Sequence, residues 1–164
     1  MNNSFQFVEI DLISAVGIST TLTTSQHDNF VIISSLWKRF NADIHKIGNR
    51  PPSSKDWEKY GITYSQNHKY CYLAAIRYSD NMLAPSSMVR KDITPGRYAC
   101  ITHRGKLSYL NSTIHAIFKK MLPERNIKHR FEEKAGLIQF EKYDNRFHWN
   151  RPDSLIEIYV PIEA

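Results

Sequence analysis

Two carboxylates and two phenols stand at alternating positions near the C-terminal end of the chain. Glu141 and Tyr143 lie in Phe140-Glu141-Lys142-Tyr143, and Glu157 and Tyr159 lie in Glu157-Ile158-Tyr159. A carboxylate can work as a general acid or base, or as the fixed counter-charge of a bound cation, and a phenol can donate a hydrogen bond to it. Tyr60, Tyr64, Tyr70 and Tyr72 add aromatic surface in the first half, with Tyr70 and Tyr72 on one face of a strand-like run. If such rings wall a cavity around a carboxylate, the cavity suits a flat, lipophilic cation, because aromatic faces attract positive charge. The residues alone leave two readings open, a solvent-facing sheet and the floor of a cavity.

Competing chemistries have little support. The sequence has no His-Glu-x-x-His, no Cys-x-x-Cys, no phosphate-cradling glycine loop and no Gly-x-Ser-x-Gly, so no cofactor and no metal are expected. His45, His115 and His129 have no partner at metal-ligand spacing, which points to surface or packing roles. His103, just before Arg104-Gly105, is read as part of the start of a helix. Cys71 and Cys100 each sit in an apolar strand-like run and are read as buried free thiols.

The elements that must position these residues follow from periodicity. Residues 5 to 24 read as a strand with a bend at Gly17. Ser25, with Asp28 three residues on, forms a helix-start signal, and Phe30, Ile33, Trp37, Phe40, Ile44 and Ile47 then recur at spacings of 3, 4, 3, 4 and 3. That helix stops near Gly48, before Pro51-Pro52. Trp57 to Ser65 and Lys69 to Tyr78 read as a hairpin around Gln66-Asn67-His68. After a polar connection, Tyr98 to Thr102 is β-rich, and Leu107, Leu110, Ile114, Ile117 and Met121 predict a second helix from Lys106 to Leu122, ended by Pro123. Leu137 to Asp144 and Leu155 to Ile162 are two further strands.

The order strand, helix, strand, strand thus occurs twice. This predicts an α+β fold built from a duplicated module, about 5–79 and 88–163, in a single domain of residues 1–164 with pseudo-twofold symmetry. Two helices would cover one face of an antiparallel sheet, with a ligand groove on the other. Alternation puts Ile156, Ile158, Val160 and Ile162 on one strand face, joined by Ile138 and Phe140 against a helix. Glu141, Tyr143, Glu157 and Tyr159 are then expected together on the opposite face.

Composition sets the outer bounds. With 164 residues, 41% hydrophobic, and 3 Trp, 9 Tyr and 8 Phe, the chain can bury a sizeable core without metal or disulfide staples. No apolar run is long enough to span a bilayer and the start lacks a secretory pattern, so no membrane partner and a cytoplasmic location are expected. The net charge of +6 is compatible with a polyanionic partner, but the dense basic group, Lys119 to Arg130, is read as a solvated helix end and loop.

Several stretches taken together resemble the gyrase-inhibitor-like (GyrI-like) effector-binding domain found in AraC-type and MerR-type regulators. They are Thr94-Pro-Gly-Arg-Tyr98-Ala-Cys-Ile-Thr-His-Arg-Gly105, Leu110 through Thr113-Ile114 to Phe118 and Leu122-Pro123, Phe140-Glu141-Lys-Tyr143 and Glu157-Ile-Tyr-Val-Pro-Ile162. Trp37, Phe40 and Trp57-Glu-Lys-Tyr60-Gly61 look like the first-half signature. The resemblance covers the whole chain. It implies the duplicated fold and binding of aromatic, lipophilic cations between the halves, with Glu141 as the acid. The candidate ligand-binding set is Glu141, Tyr143, Trp37, Phe40, Tyr60, Tyr64, Tyr72, Tyr98 and Glu157.

With residues 1 to 24 used by the first strand, no direct DNA-binding element is expected, and the resemblance implies a free-standing sensor or scavenger of small lipophilic cations. Alternatives implied by the same resemblance are a protein contact with gyrase or a regulator, self-association as a homodimer, and a Glu/Tyr-dependent hydrolase. Haem binding, known on the same duplicated fold, lacks a convincing axial histidine here.

Overall fold

The computed structural model describes residues 4–51 and 58–164. Among them are eight strands: β1 Phe5–Ile10, β2 Ile13–Thr21, β3 Lys59–Gln66, β4 Lys69–Arg77, β5 Val89–Ile93, β6 Gly96–Arg104, β7 Leu137–Tyr143 and β8 Leu155–Pro161. Helix α1 spans Gln26–Asp43. A second helical stretch comprises a 3-10 turn at Leu107–Tyr109, α2 at Leu110–Ala116, a π-helical turn at Ile117–Met121 and α3 at Leu122–Glu124. Trp57, read above as the start of a strand and part of a signature, lies outside the described residues.

Local signals explain most of these boundaries. Ser25 caps α1, its Oγ accepting from the Asp28 backbone N–H at 3.2 Å. Asn67 and His68 adopt φ of 52° and 62°, the paired left-handed conformation of a two-residue hairpin turn, and β3 pairs with β4 from Gln66↔Lys69 to Tyr60↔Ala75. The N-terminal region is not one bent strand. It breaks between Ile10 and Ile13, and β1 leaves to pair with β6 while β2 pairs with β4 and β5. Gly17 lies inside β2, where an added Cβ would meet the Ala74 carbonyl oxygen at 1.8 Å, so its role is close strand approach. The second helical stretch ends at Glu124, one residue past Pro123 and two past the expected Leu122. The chain widens into the π turn first, and the proline then sits at the start of α3, where a missing N–H costs little.

The sheet is antiparallel throughout, in the order β1-β6-β8-β7-β3-β4-β2-β5. Moving outward from the β7–β3 junction, each side shows two strands consecutive in sequence, then the strand preceding a helical stretch, then an edge strand: β7, β8, β6 and β1 on one side, β3, β4, β2 and β5 on the other. Val8 and Ile10 of β1, Ile93 of β5 and residues of the six intervening strands share one cluster, which includes Ile62, Leu73, Tyr98 and Phe140. Both edges can reach one cluster only if the sheet curls around it. The other face carries the helices. Phe40 and Leu36 of α1 pack on Val16, Ile18, Ala74 and Ile76, and Leu110, Ile117 and Leu122 pack on Ile101, Ile156, Ile158 and Val160. Trp37 touches both clusters.

Register corrects the expected face assignment. β7 and β8 pair as Phe140↔Tyr159, Glu141↔Ile158 and Lys142↔Glu157. Directly opposed residues share a face, so Phe140 lies with Tyr159 inside the curl, whereas Glu141 and Tyr143 lie with Ile156 and Ile158 under the helices. Glu157 and Tyr159 are therefore on the opposite face from Glu141. The helix-free face holds apolar core, and the buried carboxylate is on the helix-bearing one.

Candidate functional site

Glu141 is 2% exposed, beneath the line where the two helical clusters meet. Its Oε1 accepts from the Tyr72 hydroxyl at 3.1 Å and the Tyr143 hydroxyl at 3.0 Å. Its Oε2 is buried with no hydrogen-bond partner among the described residues. Trp37, half-buried on α1, donates its indole N–H to the Tyr72 oxygen at 3.1 Å and sets its ring edge-on to Tyr143 at 5.5 Å between centroids. Phe40 lies behind it at 6.1 Å, and Phe147 meets Tyr143 edge-on at 5.0 Å. A ring of β4, a ring of β7 and a ring of α1 thus enclose one carboxylate.

No ion pair is formed by Glu141 among the described residues. Burial raises its pKa from 4.5 to about 7, because an ionised carboxylate loses its hydration there; the polar side chains of Tyr143, Tyr72 and Gln139 offset only part of that cost. The same burial, together with the adjacent Glu141, holds Tyr72 well above the ordinary phenol range. Tyr143 is held there too, by burial and by the neighbouring Tyr72 and Glu141. Both phenols therefore stay protonated and serve as donors.

Two other positions complete the geometry, and periodicity did not mark them. Gly61 of β3 faces Glu141, and a Cβ there would lie 1.9 Å from the Tyr72 hydroxyl oxygen and 2.9 Å from Glu141 Oε1. Its missing side chain is the space through which Tyr72 reaches the carboxylate. Gln139, 5% exposed and two residues before Glu141 on β7, donates its amide to Thr63 Oγ1 at 3.1 Å. A glycine in a strand signals close approach, but nothing in the sequence says what approaches.

The remaining candidates lie elsewhere. Tyr60, Tyr64 and Tyr98 belong to the cluster inside the curl. The Tyr60 hydroxyl meets Glu58 and Arg77, Lys91 lies 4.2 Å from the Tyr64 ring centre, and Tyr98 donates to the Thr94 carbonyl. Glu157 is paired with Lys142 at 3.2 Å and Arg146 at 3.0 Å on the face away from Glu141. The structure brings together Glu141, Tyr143, Tyr72, Trp37 and Phe40, and does not bring Tyr60, Tyr64, Tyr98 or Glu157 to them.

Outside the site, His103 is fully buried, with Nδ1 2.7 Å from Thr113 Oγ1 and Nε2 3.1 Å from the Lys106 carbonyl, and so ties β6 to the start of the second helical stretch. Cys71 and Cys100 are buried free thiols. No helix among the described residues is long and apolar enough to cross a membrane.

A curled eight-stranded sheet with two helical stretches over one face and a carboxylate beneath their meeting line defines a class, the small-molecule effector-binding domains. The chain belongs to the family of integron-associated effector binding proteins (Cass2), whose pattern it matches over residues 6–162, and with it to the GyrI-like domains.

The transcriptional regulator BrlR of Pseudomonas aeruginosa is 34% identical over 133 residues, which cover 79% of this chain and 46% of BrlR. This chain thus spans about half the length of that relative. Two solved structures share the fold. SAV2435 bound to tetraphenylphosphonium superposes with a TM-score of 0.71 at 14% identity, over 98% of this chain and 94% of that one. A hydrolase from Listeria innocua superposes with a TM-score of 0.53 at 10% identity, over 97% and 91%.

Proposed function

We propose that the domain binds amphipathic, aromatic cations, with Glu141 as the counter-charge and Trp37, Tyr72 and Tyr143 as the walls. The observation that carries this reading is the Glu141 Oε2, buried beside aromatic rings and without a hydrogen-bond or ion-pair partner among the described residues. A buried unpaired carboxylate is costly, and a positive charge arriving from outside removes that cost. Stacking on flat rings adds affinity without demanding one ligand shape, so broad selectivity follows. Tetraphenylphosphonium, the ligand of SAV2435, is an appropriate first probe.

The two halves, 5–79 and 88–163, act in this reading as the two sides of one binding domain. Trp37 and Tyr72 come from the first and Glu141 and Tyr143 from the second. Trp37 lies across the phenols, so a ligand that stacks on them must turn its indole aside. The reading includes binding without chemical turnover. Its test is Glu141→Gln: a cationic dye should bind at least tenfold more weakly while a neutral dye of the same shape is little changed. Equal losses for both dyes would reject Glu141 as the counter-charge.

A further inference from the structure

The two edges of the sheet are guarded differently. β5 carries Arg90, Lys91 and Asp92 among its five residues, and charged side chains of this kind keep foreign strands from pairing with an edge. β1, Phe5-Gln-Phe-Val-Glu-Ile10, has Glu9 alone, and among the described residues no strand pairs with its outer side. The Thr102 N–H donates to the Ser4 carbonyl at 3.2 Å, which fixes the alternation along the regular β1–β6 register. Gln6, Val8 and Ile10 therefore bond to β6, and the backbone N–H and C=O groups of Phe5, Phe7 and Glu9 point outward from the sheet.

Charge decides what fits this edge. Phe5, Phe7 and Glu9 share the helix-bearing face, opposite Ile101, Ala99 and Arg97 of β6. Phe5 and Phe7 meet edge-on at 5.4 Å, Phe7 is 47% exposed, and the Arg125 guanidinium lies 4.5 Å from the Phe5 ring centre. Among the described residues neither Arg125 nor Glu9 forms an ion pair, although Glu9 stands opposite Arg97. An antiparallel second copy of β1, centred on Phe7, sets Phe7 against Phe7 and Glu9 against Phe5, so each Glu9 arrives beside Arg125 of the partner subunit. This register pairs all three outward-pointing residues. A slip of one residue would set Phe7 against Gln6 or Val8, whose backbone groups are already bonded to β6. We infer that the chain forms a twofold dimer through β1, joining two sheets edge to edge and held in register by two Glu9–Arg125 pairs. The inference is independent of the cation reading.

Sedimentation equilibrium over about 1 to 500 μM, where mass action separates monomer from dimer, tests this. The wild-type protein should reach the mass of two chains at the top of the range. Glu9→Arg and Arg125→Glu each bring like charges together at both ends of the interface and should weaken association at least tenfold. The double variant Glu9→Arg/Arg125→Glu, and an equimolar mixture of the two single variants, should recover it, because opposite charges meet again. Both positions are exposed, so the variants should melt as the wild-type monomer does. A wild-type protein that stays monomeric over the whole range overturns the inference and leaves the β1 edge to a strand of another protein; this measurement needs no variant. A dimer that both single variants leave intact overturns its placement at β1. Association that is weakened in the single variants and recovered in neither the double variant nor the mixture overturns the Glu9–Arg125 register.

Discussion

Lowering the pH should switch off cation binding with a midpoint set by Glu141. Burial has raised this group from 4.5 to about 7, a difference worth about 3 kcal/mol between its two protonation states. A permanently charged ligand such as tetraphenylphosphonium does not titrate, so any pH response belongs to the protein. Only the ionised carboxylate attracts it, and at pH 5 about 1% of the sites are ionised when the pKa is about 7. The apparent Kd should therefore be level above about pH 8 and rise about tenfold for each pH unit below 7, reaching about 100-fold at pH 5. Tyr72 and Tyr143 lie far above this window and remain protonated throughout it. Titration calorimetry at pH 5 to 9, repeated in buffers of different ionisation heat, measures both the affinity and the proton that binding at pH 6 releases. A flat profile would refute the argument. So would a slope that persists in Glu141→Gln, since that variant has no carboxylate to protonate.

The unliganded protein should show the opposite pH response in stability. Between pH 4.5 and 7 the folded state keeps a proton on Glu141 that the unfolded chain has lost, so unfolding free energy falls as pH rises through this window and levels off above it. Urea denaturation should show a loss of about 2 to 3 kcal/mol from pH 5 to pH 8 that Glu141→Gln lacks. Gly61→Ala should destabilise by about 1 to 3 kcal/mol in the same assay and weaken cation binding, because its Cβ meets the Tyr72 hydroxyl at 1.9 Å; unchanged stability would mean Tyr72 can move freely. Thr113→Val should cost about 1 to 3 kcal/mol by leaving buried His103 without its 2.7 Å partner, while cation affinity stays constant, as thermal melts and titrations would show. Glu157→Gln should alter cation affinity by less than about twofold, because its partners Lys142 and Arg146 lie on the other face; a tenfold loss would contradict the site assigned here.

Much of the fold was legible in the sequence for local reasons. The α1 stripe and its Ser25 cap, the hairpin at Asn67-His68 and the last two strands all rest on interactions spanning only a few residues, which periodicity and turn chemistry report. The reading failed where partners are distant. β1 and β2 read as one bent strand, because their composition is continuous and only their separate partners, β6 and β4, distinguish them. β5, Val89-Arg-Lys-Asp-Ile93, is too polar to read as a strand, and is made one by pairing with β2. Phe30 fits the α1 stripe yet is exposed, whereas Leu36, off the stripe, is buried.

The sequence by itself determined which residues travel together: Glu141 with Tyr143, and Ile156 with Ile158 and Val160, because a strand sends alternate side chains to opposite sides. It could not determine which side faces the helices. That depended on the β7–β8 register, where Glu141 stands opposite Ile158, and a slip of one residue would reverse it. Only the folded chain could also bring Trp37 of α1 and Tyr72 of β4 to a carboxylate on β7, through the space left by Gly61. The raised pKa and the unsatisfied oxygens follow from that burial, which is a property of the packed tertiary structure.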